Sequence, residues 1–229
     1  MKLDAGISNS GPVEVEERAS IKAWHRFFKR FIAPLFRGKR MELFLRTFAV
    51  TDETRIIDLG GAASTWETIG PKPLVTMVNQ WGSSYATERF KYLIGDACNI
   101  DAPDNSYEIA FSNSVIEHVG DFSRQQAFAR EVRRIAPRYF VQTPYRYFPI
   151  EPHYMCLGIQ FLPKPVFKRL VRRFSLWGIV TKPNKAEIEE SMSTIELLTV
   201  GQMRELFPDA RIFRERFLFL TKSLIAIKQ

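Results

Sequence analysis

Apolar positions along this chain alternate between two rhythms. Short β-branched runs read as strands: Arg55-Ile56-Ile57-Asp58-Leu59, Leu74 to Asn79, Tyr92 to Ala97, Tyr107 to Asn113 and Arg138 to Thr143. Helical spacing appears from Phe122 to Ile135, where Phe122, Ala127, Phe128, Val132 and Ile135 share a face and Asp121 or Ser123 can cap the start. Pro163 to Phe174 reads as a helix with proline near its first turn, and Val200 to Phe207 as a shorter one. Most strands are followed by a connection long enough for a crossover, which predicts a parallel sheet with helices on its faces. Ile212 to Phe219 and Lys222 to Ile227 predict a closing antiparallel pair. Two connections depart from the pattern. The helix after the first strand is cut short by Pro71 and Pro73, and 82–89 is too short for a full crossover helix.

The segment before the first strand has another pattern. Ile21, Trp24, Phe27, Phe28, Phe31 and Ile32 recur by threes and fours, so an amphipathic helix is expected that Pro34 ends or kinks. A second helix is expected after Gly38, on Met41, Leu43, Phe44, Leu45 and Phe48. Charge changes the picture here. The chain carries a net charge of +8, and 18–50 holds nine Lys or Arg against the single acid Glu42, so the rest of the chain is balanced. Helices packed on the sheet edge or over a cleft, with solvated charges outward, explain this most simply. Peripheral contact with an anionic membrane through 18–50 is the second reading, and a nucleic-acid backbone the unlikely third. The first 17 residues, polar with Gly, Ser and Pro, are expected as a flexible tail.

With 229 residues and 45% hydrophobic composition, the chain can bury one full α/β core and little more. It has no apolar run of the roughly 18 residues a span needs, and its start lacks a signal-peptide pattern, so a cytoplasmic protein is expected. Cys98 and Cys156 are too few for a disulfide framework or a zinc site and read as packing residues.

The chemistry centres on Asp58-Leu59-Gly60-Gly61-Ala62-Ala63-Ser64, a strand end that runs into glycines and a helix start. Glycines permit close backbone approach, and a helix N-terminus offers N–H groups to an anionic cofactor. With Gly95-Asp96-Ala97 after the third strand and Val115-Ile116-Glu117-His118-Val119 after the fourth, the chain from Arg55 to Thr143 resembles the class I S-adenosylmethionine-dependent methyltransferases of the small-molecule type. The resemblance implies a Rossmann-like, doubly wound, seven-stranded, mostly parallel sheet with an antiparallel C-terminal strand. The basic helical extension 18–50 would precede a methyltransferase domain at 51–229. It implies S-adenosylmethionine as cofactor, with Asp58, Gly60 and Gly61 at its methionine part, Asp96 and Ala97 at adenine and Asn113 beside the methyl group. Where that family usually has Asp or Glu against the ribose, this chain has Asn79. An ionised acceptor binds a hydroxyl more strongly, so Asn79→Asp is expected to tighten cofactor binding.

Methyl transfer needs an acceptor held in line away from water, plus a base where the acceptor loses a proton. His118 fits that position. The loop Thr143 to Tyr154, stiffened by three prolines, gathers further ionisable groups at the sheet's carboxyl edge, with Tyr145, Glu151 and His153 as the candidates. Segment 175–198 is expected to help cover that edge beside the N-terminal helix. No His/Cys/Asp grouping in the sequence suggests a metal. The expected partner is a small-molecule or lipid-like acceptor. A non-catalytic binding or scaffold protein of the same fold and a dinucleotide oxidoreductase are the alternatives; the second lacks the third glycine of its fingerprint.

Overall fold

The structure is a computed structural model that describes residues 34–229, with side chains from residue 38 onward. The expected tail 1–17 and the expected amphipathic helix with Trp24 and Phe28 lie outside the described residues.

The first described element is helix α1, Pro34–Phe48. It begins at Pro34 and runs through Gly38, where the sequence pattern predicts a break. Proline is tolerated in a first helical turn because its missing N–H would have no partner there. The apolar face of α1 then compensates a single interior glycine by packing. Strand β1, Arg55–Leu59, leads through helix α2, Ala63–Glu67, to β2, Leu74–Asn79. Next come β3, Tyr85–Ala86, β4, Phe90–Ile94, and β5, Ile109–Asn113. A 3-10 turn at Ile116–His118 precedes helix α3, Phe122–Ile135, which Asp121 caps by accepting from the Arg124 N–H. Strand β6, Arg138–Pro144, is followed by the small ribbon of β7, Ile150–Glu151, and β8, Cys156–Leu157. Helices α4, Lys164–Phe174, α5, Leu176–Thr181, α6, Lys185–Ser193, and α7, Val200–Leu206, lead to β9, Arg211–Phe217, and β10, Leu220–Lys228.

The main sheet has eight strands in the order β3-β4-β2-β1-β5-β6-β10-β9. Strands β4, β2, β1, β5 and β6 run parallel, and β10 is antiparallel to both β6 and β9. This is the expected doubly wound sheet with one strand more than the seven predicted. The extra strand is β3, two exposed residues antiparallel to β4, inside the connection that is too short for a helix.

Alternation along the strands divides the core. Ile56, Met77, Phe111, Phe140 and Ile225 face α1 and α2, where Phe44, Phe48 and Trp66 complete an aromatic cluster. Ile57, Ala110, Val141 and Leu224 face α3 and α7. A third, smaller cluster of Tyr154, Ile159, Phe167, Val171, Trp177 and Ile188 holds the segment between β6 and α7 together. That segment is joined to the sheet edge by a bridge between Tyr145 and Leu198.

Candidate active site

The turn after β1 is built on its glycines. Gly60 has φ +77, and a Cβ there would lie 2.4 Å from Val115 Cγ2. A Cβ on Gly61 would lie 1.7 Å from Asp58 Oδ2, so only glycine lets the turn close over that carboxylate. Asp58 is buried and accepts a 2.7 Å hydrogen bond from Trp66 Nε1. The turn is tied to β2 twice: the Gly60 N–H donates to the Val78 carbonyl at 2.8 Å, and Asn79 Nδ2 donates to the Gly61 carbonyl at 3.0 Å. Asn79 therefore has a donor role that no carboxylate can fill, which reverses the expectation for Asn79→Asp.

Asp96 lies just past β4, and Arg124 Nη2 reaches both of its oxygens, at 2.9 and 2.7 Å. The Cys98 N–H adds a third bond at 2.9 Å. Burial pulls Asp96 upward, but the bonds from Arg124 and Cys98 and the Arg124 charge hold it below the ordinary carboxylate range. An adenine amine at this carboxylate would share it with Arg124, a partner the sequence pattern did not show. Ala97 packs half-buried against the main core.

Asn113 closes β5, and its Oδ1 accepts from Arg40 Nη1 at 2.9 Å. Arg40 is buried and also donates to Gln142 Oε1 at 3.0 Å and to the Glu215 carboxylate at 2.8–3.1 Å. Burial raises Glu215, and Arg40 outweighs it, so the carboxyl is held low. Lys222, half-buried nearby, is pushed down to about 7 by burial and by the Arg40 charge, against the pull of Glu215. Among the basic residues of 18–50, Arg40 is thus turned inward. A cavity of about 660 Å³ opens here between α1, α2 and the end of β5, lined by Arg40, Met41, Thr65, Ile69, Phe111 and Asn113 among others.

The other face of the same edge gathers ionisable groups. Glu117 is fully buried and accepts from Thr143 Oγ1 at 3.0 Å; burial raises its carboxyl above the usual range. His118 Nε2 lies 3.1 Å from His153 Nε2, and the two rings meet edge-on with centroids 4.8 Å apart. His153 Nδ1 bonds Glu151 Oε1 at 2.6 Å, while Glu151 Oε2 accepts from the Tyr154 N–H at 2.7 Å. Burial would lower His153, but the charges of Glu151 and Glu117 and the bond from Glu151 raise it. Three of the four predicted acceptor-site residues, His118, Glu151 and His153, therefore form one network. Tyr145 packs edge-on against Tyr147, and no hydrogen bond joins its hydroxyl to this network among the described residues. Glu117 is the residue that sequence reasoning undervalued; its signal was its place beside His118 in a turn that follows β5.

A cavity of about 320 Å³ adjoins the network at Glu151. Arg146, Glu151 and Tyr154 line it from the loop, and Met192, Ile195 and Glu196 from the 175–198 segment.

The residues present fit S-adenosylmethionine: a glycine turn that admits no Cβ, a buried acid beneath it, and Asn79 and Asp96 at the ends of the next two parallel strands. Residues 61–138 match the family described as "Methyltransferase domain". Comparison with curated proteins gives no match. Among solved structures, a putative O-methyltransferase from Nostoc punctiforme superposes with a TM-score of 0.51 at 12% identity, over 97% of this chain and 64% of that one. A chain of the complex between the Haloferax volcanii Trm112 methyltransferase activator and a putative methyltransferase superposes with a TM-score of 0.50 at 12% identity, over 92% and 95%. A S-adenosylmethionine-dependent methyltransferase from Methanosarcina mazei gives a TM-score of 0.45 at 13% identity, over 78% and 94%. A methyltransferase domain is thus matched over 61–138 at the centre of the chain, and the superpositions show that the sheet around it has the fold of these structures.

Proposed function

We propose that the enzyme methylates a small-molecule or lipid-like acceptor bound in the cavity beside Glu151. The observation that carries this reading is the convergence of His118, Glu151 and His153 in the connections that follow β5 and β6, with Glu151 on the wall of a cavity of about 320 Å³. S-adenosylmethionine supplies an electrophilic methyl group when bound. Asp58, with Gly60 and Gly61, would hold its methionine part, Asn79 the ribose, Asp96 with the Ala97 N–H the adenine, and Asn113 would border the methyl group. The ammonium of the methionine part favours a nearby carboxylate, which Asp58 provides.

On the acceptor side, Glu151 fixes the ring of His153 through Nδ1, so that Nε2 is the atom presented to His118. A His–carboxylate pair of this kind takes up an acceptor proton or orients the group that loses it. The wall carries Lys164, Glu151 and the pair Arg146–Glu196, which suit a polar portion of an acceptor, and Phe167 and Leu162, which suit an apolar one. The chain segment that carries Met192 to Leu197 forms part of the cavity wall.

Full-length protein given S-adenosylmethionine with an isotopically labelled methyl group, together with a fractionated cell extract, tests this reading. Label is expected in the small-molecule or lipid fraction and is expected to be lost in His153→Ala. Label confined to protein or nucleic acid, or label in small molecules that His153→Ala leaves unchanged, would overturn it.

A further inference from the structure

Glu117, His118 and His153 each offer one potential ligand atom, and these atoms lie within 4.8 Å of one another, so a modest closing of the side chains brings all three onto one ion. The two Nε2 atoms stand 3.1 Å apart. Two imidazoles on one ion at the usual zinc–nitrogen length of about 2.0–2.1 Å stand about 2.8–3.4 Å apart, for ligand angles between right and tetrahedral. The observed spacing falls in that range.

The third group supplies charge. Glu117 is fully buried, its Oε2 is held by Thr143, and its Oε1 has no hydrogen-bond partner among the described residues. An orphaned carboxylate oxygen inside a protein is costly unless a positive group meets it. The backbone around it is pinned: the Glu196 N–H donates to the Glu117 carbonyl at 2.8 Å, and Gln125 Nε2 to the Ile116 carbonyl at 3.2 Å. The carboxylate therefore does not swing out to water at small cost.

The surroundings of His153 are those of a metal-ligating imidazole. Its Nδ1 is bonded to Glu151 at 2.6 Å, and Glu151 is in turn fixed by the Tyr154 N–H. A carboxylate on the far ring nitrogen sets the tautomer, aims the Nε2 lone pair and raises its basicity. His118 comes from the exposed side, so a ligand set of three leaves coordination positions that a further oxygen can reach.

We propose that Glu117, His118 and His153 form a three-ligand site for a divalent transition metal ion, with Glu151 and Thr143 as its supporting groups. Two imidazoles and one carboxylate suit zinc, cobalt, iron or manganese, whereas magnesium and calcium prefer all-oxygen sites. Binding stands on these side chains alone. Its use in catalysis rests on the acceptor proposed above and would replace proton uptake by His153, whose Nε2 would then be on the ion: an acceptor oxygen at an open position would have its proton affinity lowered.

The test is calorimetric titration of zinc chloride, and separately of magnesium chloride, into chelator-stripped full-length protein. One zinc ion per chain and no saturable magnesium binding are expected. Glu151→Gln should weaken zinc binding by about 10–100-fold, and His118→Ala and His153→Ala by at least as much. His118 is exposed, so His118→Ala should melt with the wild type and serves as the folded reference; cobalt substitution should give visible absorption bands that this variant loses. His25→Ala, which removes the third histidine of the sequence, and a Cys98→Ser/Cys156→Ser double variant should bind zinc normally. Absence of saturable zinc binding, binding untouched by His118→Ala and His153→Ala, or binding lost with His25 or the thiols would each overturn the site. Zinc binding at the three residues combined with failure of the labelling experiment would leave the site standing and remove the acceptor reading.

Discussion

Asn79 supports the glycine turn, and that bond decides what a substitution there does. Its Nδ2 holds the Gly61 carbonyl at 3.0 Å, and the turn it holds is the one that admits no Cβ. Asn79→Asp would set a carboxylate against that carbonyl and leave it without a donor, a cost of about 1–3 kcal/mol. Weaker binding of S-adenosylhomocysteine is therefore expected in calorimetry, from about 5- to 160-fold. Tighter binding would show that charge assistance to the ribose outweighs the support of the turn. The same kind of dependence holds at Asp58: Trp66→Phe removes the indole donor from a buried carboxylate and should cost about 1–3 kcal/mol in urea unfolding. Stability within experimental error of the wild type would mean that the Trp66 bond adds nothing there.

At the scale of elements, α1 packs on the sheet as the apolar spacing predicts, and its aromatic residues enter the core. Phe44 is fully buried among Trp66, Phe111 and Phe140, with ring centroids 5.0–5.8 Å apart. Phe44→Ala is expected to destabilise by about 3–5 kcal/mol, read by denaturant unfolding, because it empties the centre of that cluster. A loss under about 1 kcal/mol would mean that α1 is not part of the core. A deletion meant to probe the N-terminal segment should accordingly end before Pro34, since a cut at Arg40 would also remove the partner of Glu215. The parallel strands were legible because each is a compact β-branched run. The strand Tyr85–Ala86 was not, because two exposed residues on an edge carry no hydrophobic signature. The glycine turn and Asp96 were legible as local motifs. Arg124 on Asp96, Arg40 on Asn113 and His153 on His118 were not, because the fold joins residues 28, 73 and 35 positions apart and no local pattern encodes such pairs.

For the molecule as a whole, the carboxyl edge of the sheet carries two polar assemblies, Arg40–Glu215 with Asn113 on one face and the Glu117–His118–His153 network on the other. The first makes stability depend on pH. Lys222 falls to about 7 in the fold, against roughly 10.4 when unfolded. Between those values the unfolded chain binds the extra proton, so this group makes stability rise with pH across that window, and below about 7 its cost is fully present. Urea unfolding of the wild type and Lys222→Met should therefore differ most at pH 6, in favour of the variant, and converge toward pH 10; a constant difference would contradict the assignment. The central claim is that the edge defined by Asp58, the glycine turn and Asp96 is a methyl-donor site. Calorimetric titration of S-adenosylhomocysteine into the full chain tests it most directly. One site per chain is predicted, with Asp58→Asn and Asp96→Ala each weakening binding by about 1–3 kcal/mol. Unchanged affinity in both variants, or NAD bound in place of S-adenosylhomocysteine, would contradict it.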